Sequence, residues 1–257
     1  MSSYLVTGAG RGIGLELVKQ MAKQPPSKVS VVFAATRGEE APNALKKVID
    51  SSPPGRVVHV SMVITERSSL DKAASEVEAK LGGGRGLDVL INNAGVMPSD
   101  VEGIAKMKTL RYALEVNVEA PQETTAAFIH LLNKGKEKKV INISSEVGSI
   151  SRTHKYIFSP TPSYKISKAA LNMLTVQYAQ AYAEEGFNIF AISPGWLKTE
   201  MGSEIADLDV KVGAEATLDI IFKSTPETTN GTFQNIRVPG WENAEGPNKY
   251  DGEILPW

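Results

Sequence analysis

The chain has 257 residues, 42% of them hydrophobic, and its 28 Lys and Arg against 29 Asp and Glu give a formal net charge of −1. This length fits one large domain with a substantial core, and the balanced charge gives no general attraction to nucleic acid or to an anionic membrane. The absence of cysteine excludes disulfides, thiolate metal sites and a cysteine nucleophile, and with no basic leader and no apolar run of roughly 20 residues we expect a cytoplasmic protein without a metal.

The first predicted strand, Tyr4–Thr7, runs directly into the glycine-rich stretch TGAGRGIG, residues 7–14. Glycine has no Cβ and tolerates unusual dihedral angles, so Gly8, Gly12 and Gly14 permit a tight strand-to-helix turn whose backbone approaches another group closely. That group is often a pyrophosphate, held by the free N–H groups at a helix N-terminus. At this point a tight turn that binds nothing is the alternative.

The rest of the chain alternates short β-branched runs with longer helical patterns, which predicts βαβ units and a parallel sheet. Further strands are predicted at Val29–Ala34, Val57–Ser61, Leu87–Asn92, Val140–Ser144, Asn188–Ser193 and Thr232–Asn235. Helices are predicted at Gly14–Lys23, Pro42–Ile49, Ser68–Lys80, Lys108–Leu132 and Tyr164–Ala183. Together they predict a single α/β domain, a Rossmann-type doubly wound parallel sheet of about seven strands with helices on both faces and with ligands beyond the carboxyl ends of the strands.

The segment YKISK, residues 164–168, opens the last predicted helix. A spacing of four residues places Tyr164 and Lys168 on one helix face. The pKa of a free tyrosine is about 10, and a fixed ammonium group nearby favours the phenolate and lowers that pKa. The pair is therefore a candidate for proton transfer, although an amphipathic helix with an exposed lysine has the same spacing.

Four further motifs stand at defined places along the chain. NNAG (92–95) follows the fourth predicted strand, Asn117 lies inside the long helical segment, NISS (142–145) ends the fifth strand, and PGWLKT (194–199) follows the sixth. Together with TGAGRGIG and the Tyr–Lys pair, this order closely resembles the short-chain dehydrogenase/reductase family over essentially the whole chain. The opening YLVTG, the stretch LELVKQ and the ending YDGEILPW look like its C-factor-like and Sniffer-like carbonyl reductase branch.

The resemblance implies a catalytic set of Asn117, Ser145, Tyr164 and Lys168. Tyr164 would give a proton to a carbonyl oxygen as hydride reaches the carbon, and Ser145 would donate a hydrogen bond to that oxygen. Lys168 would lower the pKa of Tyr164 and bind the nicotinamide ribose. Asn117 would hold a water that links Lys168 to solvent, unless it only bonds backbone within its helix.

The choice of cofactor depends on the end of the second predicted strand, where Thr36 and Arg37 stand and no carboxylate precedes Glu39. An acidic residue there suits the ribose hydroxyls of NAD, whereas an arginine suits a 2′-phosphate, so NADP(H) is predicted, with Arg11 as a second positive charge. Arg37 could instead be an ordinary surface arginine. The resemblance implies cofactor contacts from Gly8, Gly10, Arg11, Gly12, Ile13, Gly14, Thr36, Arg37, Val63, Asn92, Ala94, Gly95, Asn117, Tyr164, Lys168, Pro194, Gly195, Leu197 and Thr199.

Two features depart from the family pattern. Val63 stands where many relatives carry an aspartate that bonds the adenine amine, so adenine must be recognised by neighbouring backbone or by Met62, or more weakly. The interval between Ser145 and Tyr164 is longer than usual, and the insertion 146–163 is predicted to lie at the mouth of the substrate site. Within it, His154 is interpreted as a loop residue rather than a second acid.

The predicted substrate contacts are Met97, Ser145, Tyr164 and Trp196, with the segment 196–212 on the same side. Trp196 and the apolar insertion favour an apolar or aromatic ketone or aldehyde. One alternative is a catalytically weak NADP-binding sensor, which is disfavoured because all four catalytic positions are filled. A second is an extended-type epimerase or dehydratase, which shares a Tyr–Lys pair but needs a larger C-terminal region and a different glycine spacing.

Relatives of this kind commonly associate through their long helices, so a homodimer or homotetramer is expected. The predicted helical segments 108–132 and 164–183 are candidates for the interface. Phe128, Leu131, Leu174 and Tyr178 are possible interface residues, and burial in the core explains these apolar positions equally well.

Overall fold

A parallel sheet forms the centre of the molecule, and a computed structural model describes it for all residues, 1–257. The strands are β1 (Ser2–Thr7), β2 (Val29–Thr36), β3 (Val57–Ser61), β4 (Val89–Asn92), β5 (Lys139–Ile143), β6 (Asn188–Ser193), β7 (Leu197–Lys198), β8 (Leu208–Asp209) and β9 (Phe233–Asn235). Seven of them form one sheet in the order β3-β2-β1-β4-β5-β6-β9, all parallel, and β7 pairs with β8 separately. The predicted α/β fold with seven sheet strands is confirmed.

Helices cover both faces of this sheet. They are α1 (Gly12–Ala22), α2 (Asn43–Asp50), α3 (Arg67–Leu81), α4 (Leu110–Leu114), α5 (Ala120–Lys134), α6 (Pro162–Ala181), α7 (Val210–Lys223) and α8 (Pro226–Thr229). Successive residues of a strand point to opposite faces. In β1, Tyr4 and Val6 pack in the core cluster that includes α1, α2 and α7, while Leu5 packs in the cluster with α3, α5 and α6. This two-sided burial explains why the strands are apolar throughout.

The predicted long helix at 108–132 is two helices, α4 and α5, joined by a π-helical turn at Glu115–Glu119. Pro121, near the start of α5, has no N–H to donate to the carbonyl four residues earlier, that of Asn117. A wider turn accommodates this missing hydrogen bond, and such π turns often occur at functional sites.

Helix α7 was not predicted, because the segment 196–212 was assigned to the substrate side and Gly213 weakens the helical pattern after it. The apolar spacing was nevertheless present, since Ala214, Leu218 and Ile221 all face the core. Gly213 is required by packing: a Cβ there would lie 2.3 Å from a methyl group of Leu197.

For two of the four possible interface residues, the prediction of an interface is wrong and the alternative of burial in the core holds. Phe128 and Leu131 are fully buried between α5 and the sheet, where no second chain could reach them. Leu174 and Tyr178 on α6 are partly buried. None of the helices has the length and apolar character needed to cross a membrane.

Candidate active site

One continuous crevice runs across the carboxyl ends of the central strands. Its volume of about 2810 Å³ exceeds the roughly 300–1,000 Å³ of a site for one small ligand, so it has room for a dinucleotide and a substrate together. All the predicted site residues line it except Asn92 and Asn117. The edge of the sheet predicted to bind ligands is therefore the edge that carries the crevice.

The glycine-rich turn between β1 and α1 forms one wall of the crevice. Gly8 and Gly12 have positive φ angles of 67° and 55°, a region that disfavours residues with a side chain. A Cβ on Gly14 would lie 2.4 Å from Nδ2 of Asn93 and 2.5 Å from the carbonyl oxygen of Gly8. Arg11 precedes α1 without capping it through its side chain, so the first N–H groups of the helix are available to an anion.

Two arginines line the crevice, one in the glycine-rich turn and one after β2, and their surroundings differ. Arg37 follows β2, is exposed, and makes neither a side-chain hydrogen bond nor an ion pair. Arg11 forms an exposed ion pair with Glu200 across the crevice. Thr36, at the end of β2, is buried and shares a hydrogen bond of 2.8 Å with Nε2 of His59. Of the two guanidinium groups, that of Arg37 is free to meet an anionic ligand without first breaking an ion pair.

The segment after β3 lines the crevice with the apolar side chain of Val63 and not with an acidic side chain. Val63 lines the crevice, and its backbone N–H donates to Oγ of Ser69 over 2.9 Å. The N–H of Met62 donates to the carbonyl of Thr36 over 2.7 Å. Because both N–H groups already have acceptors, a base placed here meets the side chain of Val63 rather than a free backbone donor.

Ser145, Tyr164 and Lys168 meet at the floor of the crevice. Tyr164 is in the first turn of α6, and the hydroxyl of Ser145, just after β5, is within hydrogen-bonding reach of its phenol. The ammonium group of Lys168 is one turn further along α6, 5.6 Å from the centroid of the tyrosine ring, and donates to the carbonyl of Ile143 over 2.8 Å. The predicted juxtaposition of the two side chains on one face of the helix is therefore present.

Burial has the largest effect on the pKa of Tyr164. Desolvation raises the pKa of Tyr164 to about 12, and the hydrogen bond with Ser145 opposes the rise. Desolvation also lowers the pKa of Lys168 to about 8. Burial therefore outweighs any effect of Lys168 on the pKa of Tyr164 in this arrangement.

The side chain of Asn117 is fully engaged within the protein. It lies in the π-helical turn with no solvent exposure. Its Oδ1 accepts from the N–H of Val96 over 2.9 Å, and its Nδ2 donates to the carbonyl of Val96 and to Oγ of Ser167 over 2.8 and 2.9 Å. These bonds fasten the segment after β4 to α6, close to Lys168.

Of the two adjacent asparagines in NNAG, only the second has a side chain that lines the crevice. The side chain of Asn92 is buried away from the crevice and donates to Thr125 and Asn142. Asn93 lines the crevice instead, and its Nδ2 donates to the carbonyl of Thr7 over 2.7 Å. Since side chains alternate along a strand, the strand that buries Asn92 necessarily turns Asn93 the other way, and the NNAG motif contained this signal.

The substrate side of the crevice is lined by the insertion 146–163 and the segment after β6. Met97, Phe158 and Trp196 supply apolar surface there. His154 is exposed and does not line the crevice, and it lies in a short 3₁₀ turn, Thr153–Tyr156, rather than in an irregular loop. The buried carboxylate of Glu146 pairs with Arg152 at 2.8 Å, so it does not present an unpaired charge to a substrate.

A polar network that sequence reasoning missed joins the elements of the substrate side. The hydroxyl of Tyr250 accepts from the N–H of Trp196 over 3.1 Å and donates to Asp207 over 2.6 Å. Asn248 donates to the same carboxylate over 2.6 Å and accepts from the hydroxyl of Tyr156 over 3.0 Å. The C-terminal segment thereby fastens the insertion to the turn after β6.

Comparisons with known proteins agree with this arrangement. The family model described as short chain dehydrogenase matches residues 3–209. The chain is 34% identical over 204 residues to the short-chain dehydrogenase/reductase AacuF of Aspergillus aculeatus, an alignment that covers 76% of this chain and 74% of that protein. It is 30% identical to an uncharacterized oxidoreductase of Schizosaccharomyces pombe, over 99% of this chain and 97% of the relative.

Solved structures extend the comparison to the whole fold. The carbonyl reductase from chicken fatty liver, crystallised with bound NADPH, superimposes with a TM-score of 0.85 at 31% identity, over 100% of this chain and 99% of that one. The carbonyl reductase Sniffer of Drosophila melanogaster gives a TM-score of 0.84 at 28% identity, over 100% of both chains.

Proposed function

This chain belongs to the short-chain dehydrogenase family, and we propose that it is an NADPH-dependent reductase that converts a ketone or an aldehyde to an alcohol. The observation that carries the proposal is the meeting of Ser145, Tyr164 and Lys168 on the floor of a crevice that begins at a glycine-rich turn. The similarity to the NADPH-bound chicken carbonyl reductase and to the fly carbonyl reductase supports the same activity.

The residues of the crevice fit NADP(H). A pyrophosphate would lie on the uncapped N-terminus of α1, beside glycines that leave no room for a Cβ. A 2′-phosphate would meet the free guanidinium group of Arg37, and Tyr164 and Lys168 would hold the nicotinamide ribose. When bound, NADPH supplies the hydride, whereas the chain supplies orientation and electrostatic stabilisation.

Within this proposal, Tyr164 protonates the substrate oxygen as the carbonyl carbon gains hydride. Ser145 donates a hydrogen bond to the same oxygen, where negative charge develops. Lys168 then returns a proton to the phenolate, which its lowered pKa of about 8 permits near neutral pH. The side chain of Asn117 is occupied by Val96 and Ser167, so we assign the proposed water contact to its main-chain carbonyl, which Pro121 cannot engage.

A pH profile of the reaction follows from these two groups. Because burial raises the pKa of Tyr164 to about 12, the phenol stays protonated through neutral pH and is a competent acid there. Lys168, with a pKa lowered to about 8, loses its proton above that pH. We expect kcat for reduction to be steady below about pH 8 and to fall above it, measured under saturating NADPH and substrate. A profile that falls toward acidic pH would contradict these roles.

The substrate is proposed to be an uncharged, apolar or aromatic carbonyl compound. Met97, Phe158 and Trp196 provide apolar contact surface. Glu146, the charged group next to Ser145, is neutralised by Arg152. A charged substrate group placed against these apolar side chains would lose its hydration at a considerable cost.

The loss of NADPH absorbance with a panel of aryl ketones and quinones tests the proposed function. We expect turnover of several apolar members and little or none of carboxylated analogues. If NADPH binds but no member of the panel is reduced, the reductase proposal fails, and the alternative of an NADP-binding sensor is favoured. If the charged analogues react as well as the neutral ones, only the substrate class is wrong.

We also propose that the protein is a cytoplasmic homodimer or homotetramer. Tyr112 on α4 and Met173 on α6 are 50% and 61% exposed, and α4 and α6 are neighbours. Exposed apolar side chains on adjoining helices favour association through that surface.

A further inference from the structure

We propose that Asp100 is a positioning residue for Tyr164, acting as the N-terminal cap of the catalytic helix from a distant part of the chain. The inference rests on the proposed function, since it concerns the alignment of the proposed proton donor. Asp100 belongs to the segment between β4 and α4 and does not contact the glycine-rich turn, Ser145 or Lys168 through any hydrogen bond.

Helix α6 begins without a cap of its own. Thr161 precedes it and its side chain bonds to Ser159 rather than capping the helix, and Pro162, the first helical residue, has no N–H. Ser163 and Tyr164 therefore carry the N–H groups of the first turn that lack a partner within the helix. A helix end that is buried, as this one is, needs such partners from elsewhere.

Asp100 supplies the missing acceptor. Its Oδ2 accepts from Oγ of Ser163 over 2.7 Å, and the backbone N–H of Ser163 faces the same carboxylate. Ser163 has no solvent exposure, and Asp100 is 9% exposed. The contact is therefore made inside the protein, directly next to the residue that carries the phenol.

The carboxylate is itself held in place from two further sides. Thr109, at the start of α4, donates to its two oxygens over 2.9 and 3.0 Å, and the N–H of Asp100 donates to the carbonyl of Pro160 in the insertion over 3.0 Å. Asp100 thereby joins α4, the insertion and the first turn of α6. Ser145 follows β5 and is not part of this turn, so a shift of the turn would move the phenol of Tyr164 away from Ser145.

Asp100 acts as a permanent negative charge rather than as a pH switch. Ser163 and Thr109 hold its pKa below the ordinary range through hydrogen bonds. It has no cationic side chain within ion-pair distance, so its charge is stabilised by these donors and by the positive end of the helix dipole. The carboxylate stays ionised at any pH at which the reaction would be measured.

The test is the substitution Asp100→Ala, with kcat, the KM of the substrate and the Kd of NADPH measured in parallel. A misplaced proton donor should lower kcat roughly 10- to 100-fold. The Kd of NADPH should change much less, because the proposed pyrophosphate and 2′-phosphate contacts lie on other elements. Asp100→Asn keeps an acceptor oxygen but not the charge, and we expect it to recover part of the lost kcat.

Thr225→Ala is the matched control. It removes the hydroxyl that precedes α8 and bonds to that of Thr228 in the same helix. Helix α8 lies at the opposite edge of the sheet, where Thr229 donates to Asn188 at the amino end of β6. If Asp100→Ala lowers the melting temperature as Thr225→Ala does but leaves kcat unchanged, Asp100 is only structural and the proposal is overturned. Equal losses of kcat in Asp100→Ala and Thr225→Ala would overturn it as well.

Hydrogen exchange of the first turn of α6 separates this inference from the proposed function. Faster exchange at residues 163–166 in Asp100→Ala, and no such change in Thr225→Ala, supports the cap even if the wild-type protein reduces no tested carbonyl compound. Unchanged exchange rejects it whatever the activity. If Asp100→Ala does not fold, Asp100→Asn and Ser163→Ala answer the same question, since each weakens the contact while keeping part of it; unchanged kcat and exchange in both would overturn the proposal.

Discussion

Replacing Tyr164 with phenylalanine is expected to lower kcat for carbonyl reduction by about 10²–10⁴-fold, the usual contribution of a positioned general acid. The substitution removes one hydroxyl group from a side chain that is 9% exposed and keeps the ring that packs at the start of α6. The Kd of NADPH should change little, because the pyrophosphate and the 2′-phosphate bind at the other end of the crevice. Single-turnover measurements with saturating NADPH isolate the chemical step from product release.

Tyr178→Phe is the control for this substitution. Tyr178 lies on the same helix and loses the same atom, but its hydroxyl contacts the side chain and the carbonyl of Gln122 rather than the crevice. Its kcat should equal that of the wild type. A Tyr164→Phe variant that retains most of its activity would remove Tyr164 from the mechanism and leave Lys168 or a water as the proton donor.

The elements of this site that could be predicted are those that depend on short stretches of chain. The glycine-rich turn is specified by Gly8, Gly12 and Gly14 within one strand-to-helix connection, and both residues of the Tyr164–Lys168 pair lie on one helix. Neighbouring parallel strands also end at the same edge of the sheet. Because of this rule, the turn after β1 and the serine after β5 are expected at the same edge of the sheet.

The elements that could not be predicted depend on contacts between distant residues. Asp100 and Ser163 are 63 positions apart, and no spacing rule connects them. The hydroxyl of Tyr250 supports Trp196 across 54 positions, whereas its sequence context indicated only a family branch. Helical spacing gives the distance between Tyr164 and Lys168 but not the loss of hydration at the floor of the crevice, which raises the pKa of Tyr164.

The same distinction applies to the two asparagines of NNAG. The motif indicates a turn beside the crevice, but it does not indicate which of the two adjacent side chains lines the crevice. Strand β4 is buried on both faces, so one asparagine had to enter the core. The side-chain amide of Asn92 donates to the buried side chains of Thr125 and Asn142. The side chain of Asn93 donates to the carbonyl of Thr7, where the glycine-rich turn begins.

Replacing Arg37 with serine is expected to reduce kcat/KM for NADPH roughly 10- to 100-fold and to leave kcat/KM for NADH nearly unchanged. The 2′-phosphate would lose a charge-assisted hydrogen bond worth about 1.5–3 kcal/mol, and NADH has no such phosphate to lose. Arg37 gives a clear test because its exposed guanidinium group makes no hydrogen bond and no ion pair within the protein, so its removal leaves no buried partner unsatisfied.

Arg11→Ser provides the comparison, since Arg11 is already paired with Glu200 on the exposed rim of the crevice. Exposed ion pairs of this kind contribute about 0–1 kcal/mol, and a phosphate would compete with Glu200 for the guanidinium group. We therefore expect a smaller loss of NADPH preference in Arg11→Ser than in Arg37→Ser, and a modest gain in Glu200→Gln, where the competing carboxylate is gone. Equal use of NADH and NADPH by the wild-type protein would show that neither arginine selects the coenzyme. A larger effect at Arg11 than at Arg37 would place the 2′-phosphate at the glycine-rich turn instead of at the end of β2.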